Sequence, residues 1–205
     1  FVELVEALGG IETESGFVGA DELLSVIIAG VDEVGRGCLA GPVTAAAVIL
    51  NHPIDDLKDS KLLSIKKRET LSKIIKRDSV FTLASVDNNE IDTINIHQAS
   101  LKAMQEAIIK LPIVPDIVYV DGKFIPDVGV NCKAIIRGDK LIKEISAASI
   151  IAKVHRDEYM KKLDKKFPVY GFAKNKGYGT KQHLNALKDH GYTSFHRLSY
   201  KGVLT

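Results

Sequence analysis

The chain has 205 residues, 45% of them hydrophobic and 26% charged, and a formal net charge of +2. That length suits one domain with at most a small appendage, and the apolar content excludes a disordered chain. Only two cysteines, Cys38 and Cys132, are present and they lack CxxC spacing, which argues against a disulfide framework or a zinc site; the most apolar stretch, residues 38–50, is broken by Gly41 and Pro42 and is too short to cross a bilayer.

Residues 1–16, FVELVEALGGIETESG, have neither the basic start nor the apolar run of a secretory signal, so a cytoplasmic protein is expected. Residues 1–25 carry no pattern with a legible role, and residues 26–205 read as one domain. The core is expected to begin at Leu23 with LLSVIIAGVD, a short run rich in β-branched residues that reads as a buried strand. Gly35, Gly37, Gly41 and Pro42 mark a tight loop, and VTAAAVIL reads as a second strand, although its alanines also fit a helix. KLLSIKKRETLSKIIKRD places Leu62, Leu63, Ile65, Leu71, Ile74 and Ile75 at helical spacing. VFTLASVD is a third strand; a helix follows within residues 89–111 and is stopped by Pro112 and Pro115. DIVYVD and CKAIIRGD are the fourth and fifth strands, and SAASIIAKVHRDEYMKKLDKK and TKQHLNALKDH are helices separated by a Gly-rich turn. Strands alternating with helices, followed by a helical end, predict an α/β layered fold with a basic helical extension.

The small net charge hides an asymmetry. Residues 1–33 hold eight acidic and no basic side chains, whereas residues 151–205 hold twelve Lys or Arg against four Asp or Glu, a local charge of +8. A basic end of that size fits an anionic partner such as nucleic acid, and equally a solvated lysine-rich helical surface; charge alone does not separate the two.

Carboxylates supply a second pattern. GVD is expected to close its strand at Asp32 with Glu33 beside it, IVYVD at Asp121 and AIIRGD at Asp139. In open α/β sheets ligands bind beyond the carboxyl ends of strands. Four carboxylates gathered there repel one another, and hard divalent cations with oxygen ligands, Mg²⁺ above all, resolve that repulsion and support phosphodiester cleavage. Any one of these acids alone is as readily a turn residue or helix cap. Gly35, Gly37 and Gly41 form a GxGxxxG spacing, but a dinucleotide site needs a helix directly after the glycines, and here a strand is expected. Gly35 and Gly37 instead let the backbone approach a ligand, with Arg36 between them as a charged donor. Three function classes therefore compete: a metal-dependent nuclease, a non-catalytic nucleic-acid-binding module, and a nucleotide-dependent oxidoreductase. A pure binder has no use for acids beside a phosphate site. No histidine has zinc-ligand spacing, and none is assigned a catalytic role.

GVDEVGRGCLAGPV, then DSKLLS, YVDG, GDK, AASIIAKVHRD and NKGYGTKQH, resemble in order the type 2 ribonucleases H (ribonuclease HII) over roughly residues 28–199. The resemblance implies an RNase H-like fold with a mixed five-stranded sheet, flanking helices and a helical C-terminal part. It implies Mg²⁺- or Mn²⁺-dependent hydrolysis on the 5′ side of a ribonucleotide, in RNA–DNA hybrids and in duplex DNA with embedded ribonucleotides, leaving a 3′-hydroxyl and a 5′-phosphate. The family's four acidic site residues fall on Asp32, Glu33, Asp121 and Asp139. Its Gly-Arg-Gly loop falls on Gly35, Arg36 and Gly37, which would read the ribose 2′-hydroxyl mainly through the backbone, and its substrate-sensing tyrosine on Tyr178. Lys61 and Lys153 look placed for phosphates. Asp157 also matches a family position, but its i,i+4 spacing to Lys161 fits a structural role as well. The tail HRLSYKGVLT has no docking peptide for a sliding clamp, and a monomer is expected.

Overall fold

The computed structural model describes residues 10–13, 16–19, 26–57 and 62–204; the expected start of the core at Leu23 and the position of Lys61 lie outside these residues. In the segment that carried no legible pattern, β1 (Gly10–Thr13) and β2 (Gly16–Gly19) pair antiparallel, with Gly10 opposite Gly19. The main sheet is built from β3 (Ile28–Val34), β4 (Val43–Leu50), β5 (Ser79–Val86), β6 (Ile117–Asp121) and β7 (Cys132–Ile135). Its spatial order is β5-β4-β3-β6-β7; β3 pairs antiparallel with β4 and parallel with β6, so the sheet is mixed.

The alanines of VTAAAVIL sit in a strand because both of its faces are covered. Val43, Ala45, Ala47 and Ile49 point into one apolar cluster, and Ala46 and Val48 into the other. Period-two alternation divides the residues between two layers, and each small side chain lets a helix come close. One layer is α1 (Ile65–Asp78) with α4 (Lys143–Lys166); the other is α2 (Asn88–Ile109). The start of α1 is set by Ser64, whose hydroxyl accepts from Lys67 N at 3.2 Å. Leu62 therefore precedes the helix and is exposed, as is Ile65, so the apolar face is shorter than the spacing suggested. In α2, Asn95 breaks the helix at φ 68° and re-caps it, its Oδ1 accepting from His97 N and Gln98 N at 2.9 and 3.1 Å.

Two further expectations are corrected at the strand ends. β3 does not close at Asp32 but runs on to Val34, because Glu33 and Val34 still pair with Ala45 and Thr44 of β4. β7 stops at Ile135, and Asp139 lies in a four-residue helical turn, α3 (Gly138–Leu141), entered through Arg137 at φ 58°. Only β6 ends on its carboxylate, Asp121.

The helical end packs as its own layer. A 3₁₀ turn (Pro168–Tyr170), α5 (Phe172–Asn175) and α6 (Lys181–His190) bury Tyr170, Phe172 and Leu187 against Met160 and Leu163 of α4 and against Leu39 and Ala40 of the glycine loop. No helix among the described residues is long and apolar enough to cross a membrane.

Candidate active site

Gly30 sets the site's depth. A Cβ there would stand 2.1 Å from Glu144 C and 2.2 Å from Ile145 N, so only glycine lets the first turn of α4 rest on β3. That close approach brings Ser149 against Asp32, two residues further along the same face of the strand, and the Ser149 hydroxyl donates to its carboxylate. β6 lies parallel to β3 with Val120 opposite Val31, so Asp121 emerges at the same end of the sheet as Asp32. Gly138 N donates to Asp121 Oδ1 at 2.7 Å and ties the turn carrying Asp139 to that end.

These elements enclose an open pocket of about 440 Å³, lined by Asp32, Glu33 and Asp121, the Gly35-Arg36-Gly37 loop, Ser149, Lys153 and Tyr178. Eight of the ten residues singled out in the sequence meet here. Asp139 is buried beside the pocket without lining it, and Lys61 lies outside the described residues.

The electrostatics are those of crowded acids. Burial, and then the charges of Glu33 and Asp121, push the Asp32 carboxyl well above the usual carboxylate range. Burial raises Glu33 as well; Arg36, 3.3 Å from its Oε1, pulls it back, and Asp121 adds to the rise. Among the described residues no three His, Cys, Asp or Glu side chains stand ready to close on one ion. Asp32 and Glu33 are successive strand residues that leave opposite faces, and Glu33 is engaged by Arg36. The donor set still fits a hard divalent cation: it is all oxygen, and burial and repulsion disfavour its charged form unless a cation shares the pocket.

Lys153 reaches the pocket from α4 and is held by Asp157, whose Oδ1 accepts from its Nζ at 2.7 Å. The expected Asp157–Lys161 pairing does not form; Lys161 turns outward to Glu69 at 3.2 Å. Asp157 also lies 4.0 Å from Arg68 of α1. The glycine loop runs into β4 rather than a helix, which removes the dinucleotide reading.

Sequence reasoning missed the groups that hold this loop from behind. Arg156, fully buried, donates to the carbonyls of Pro42, Lys176 and Ala40 at 2.8, 2.8 and 3.1 Å. Arg197, also fully buried, donates to Gly41 O through Nε and Nη2 and to Arg36 O at 2.8 Å, and Tyr200 donates to the same Arg36 carbonyl at 2.6 Å. Backbone bridges pair Cys38 with Tyr178 and Ala40 with His196. One signal was legible: Ser149, Lys153, Arg156 and Asp157 fall on one face of a helix at spacings of four, three and one.

A family model for ribonuclease HII matches residues 29–203. Ribonuclease HII of Pelagibacter ubique is 52% identical over 180 residues, covering 86% of this chain and 97% of that protein. The chain belongs to the ribonuclease HII family. Solved structures agree: ribonuclease H2 of Pyrococcus horikoshii superposes with a TM-score of 0.74 at 26% identity, covering 86% of this chain and 94% of that one. RNase HII of Archaeoglobus fulgidus, solved in complex with PCNA, gives 0.73 at 28% identity over 86% and 96%. Membership in the ribonuclease HII family makes this chain a metal-dependent endoribonuclease of RNA–DNA hybrids, and the pocket just described is its candidate active site.

Proposed function

We propose that residues 26–205 form one catalytic unit that hydrolyses the phosphodiester on the 5′ side of a ribonucleotide, in hybrids and in duplex DNA with embedded ribonucleotides, leaving a 3′-hydroxyl and a 5′-phosphate. The observation that carries this reading is the meeting of Asp32, Glu33 and Asp121 with the Gly35-Arg36-Gly37 loop and Tyr178 in one pocket. Asp32, Glu33, Asp121 and Asp139 are the residues that would hold two Mg²⁺ or Mn²⁺ ions. Such ions supply the Lewis acidity that activates water and stabilises the leaving oxygen. The rest falls to the chain. Glu33 shares its Oε1 with the Arg36 guanidinium at 3.3 Å, leaving Oε2 as the atom that would meet a cation and Arg36 as the donor that would meet a phosphate oxygen. Lys153, steadied by Asp157, supplies a second cationic contact. The loop backbone and the half-exposed ring of Tyr178 face the sugar across the pocket.

The direct test is a labelled duplex carrying one ribonucleotide, incubated with and without Mg²⁺, with the cut mapped at both termini. EDTA is expected to abolish cleavage, Mg²⁺ or Mn²⁺ to restore it, and Ca²⁺ to bind while supporting little turnover. Full activity in EDTA, or a cut on the 3′ side, overturns the proposal.

Phosphate contacts from the basic helical end carry a second expectation. Duplex affinity should fall with salt, with a log–log slope of roughly −0.9 per phosphate contact. Lys153→Ala should flatten that slope by about one contact. An affinity indifferent to salt removes the assignment of Lys153.

A further inference from the structure

Behind Tyr178 lies a buried aromatic cluster whose two histidines the cleavage reaction does not use. Tyr170 and Phe172 stack at 5.4 Å, and His183 and His196 pack edge-on or tilted against both. His183 and His196 are 0% and 1% exposed, and their Nε2 atoms are 3.0 Å apart.

The neighbouring backbone decides where the protons sit. Thr193 N can only donate, and it lies 2.9 Å from His196 Nδ1, so that nitrogen carries a lone pair. The single proton of a neutral His196 is therefore on Nε2, where it points at His183 Nε2. His183 in turn carries its proton on Nδ1, 3.0 Å from the carbonyl oxygen of Tyr178, which can only accept. One proton on each ring satisfies all four ring nitrogens. A second proton on His183 would set two N–H groups against each other across 3.0 Å. Burial keeps the pair neutral, pushing His196 down to about 4 with His183 adding to the effect, and lowering His183 too.

The chain of donors has a direction, from Thr193 through both rings to Tyr178. It ends where the backbone needs help, because Tyr178 lies between Gly177, at φ +88°, and Gly179. Thr180 N also donates to the Tyr178 carbonyl at 2.8 Å, and the Tyr178 N–H is bound to Asn175 O at 3.0 Å. His196 is anchored independently through its bridge to Ala40 on the glycine loop.

We propose that His183 and His196 are positioning residues: a neutral two-imidazole relay that fixes the Tyr178 backbone, and with it the ring, against the Gly35-Arg36-Gly37 loop. This rests on the reading of Tyr178 as the sugar contact. The relay acts on the placement of the ring during turnover and touches neither the carboxylates nor the phosphates.

The test is a set of variants assayed on a duplex with one ribonucleotide. His183→Phe keeps an aromatic ring but loses the donor; it should lower kcat about tenfold, the worth of one net hydrogen bond, with little change in KM. His183→Asn restores an amide donor near the Nδ1 position and should recover most of the rate. In a Tyr178→Ala background His183→Phe should cost nothing further, because the group it positions is gone. If His183→Phe does not fold, His196→Leu against His196→Gln asks the same question, glutamine offering an N–H near the Nε2 position. An equal loss with and without Tyr178, or no recovery by the amide variants, overturns the relay. Parent-like cleavage by Tyr178→Ala alone instead removes the sugar-contact reading on which it rests.

Discussion

Asp32→Asn is expected to lower cleavage by orders of magnitude while leaving the metal-free protein at least as stable as the parent. Asparagine keeps the shape, and its oxygen can still accept from Glu33 N, which bonds Asp32 Oδ1 at 2.7 Å. What it loses is a charge that burial, Glu33 and Asp121 all oppose. Because the folded carboxyl is raised above its unfolded value, the stability it contributes is fully present below that unfolded value, near 3.8, and is lost as pH rises through the folded one. At neutral pH the parent bears this penalty and the variant does not. Melts without metal should therefore favour Asp32→Asn at neutral pH, and the difference should shrink in acid. Mg²⁺ should raise the parent's Tm at neutral pH by sharing the pocket with the carboxylate, and raise the variant's less. Collapse of the metal-free variant would make Asp32 a structural carboxylate and sink the assignment.

Two alanine substitutions two residues apart should fail for opposite reasons. At Gly35, φ is +97° and a Cβ would stand 2.2 Å from Arg156 Nε, so Gly35→Ala strains the backbone and displaces a guanidinium that holds three carbonyls. Its cost should appear as lost stability, on the order of 3 kcal/mol. At Gly37 a Cβ meets only Tyr178 Cε1 at 3.8 Å, so Gly37→Ala should fold and melt like the parent. The added methyl occupies the space between loop and ring where a sugar would lie. Turnover on the single-ribonucleotide duplex should fall about a hundredfold or more, the usual cost of an ångström of misplacement, with duplex affinity little changed. Parent-like turnover by a folded Gly37→Ala would show that this loop does not approach the ribose. Tyr178→Phe alongside Tyr178→Ala separates the ring from its hydroxyl: the two should match only if the phenol carries the contact.

The helices were legible because one-sided burial imposes a period near 3.6 on α1, whereas β4, covered on both faces, shows only an unbroken apolar run that left strand or helix open. The sequence raised the meeting of Asp32, Glu33 and Asp121 only as an expectation; it is the parallel pairing of β3 with β6 that brings their ends to one edge. Less legible was anything that depends on a partner far along the chain. AIIRGD looked like a strand ending on Asp139 because nothing local announces that Arg137 adopts φ 58° and starts a turn. Asp157 was matched with Lys161 by spacing alone, whereas the pocket draws Lys153 to it and Glu69 draws Lys161 away. Arg156 and Arg197 were counted in a basic end that fitted nucleic acid or solvent equally; both are fully buried and partnered by carbonyls, which leave no mark in a sequence.

Those two arginines also make the loop beside the acids depend on residues far along the chain. The carbonyls of residues 36–42 find their donors 114 to 161 positions later, and Leu39 and Gly41 take their own backbone acceptors from Gly177 and Phe195. Contacts of that separation carry the largest loop-closure cost, so this loop should be among the last parts of the site to take shape. A chain truncated before Arg197 should therefore keep the strands that carry Asp32, Glu33 and Asp121 while losing donors that shape the carbonyls of Arg36 and Gly41.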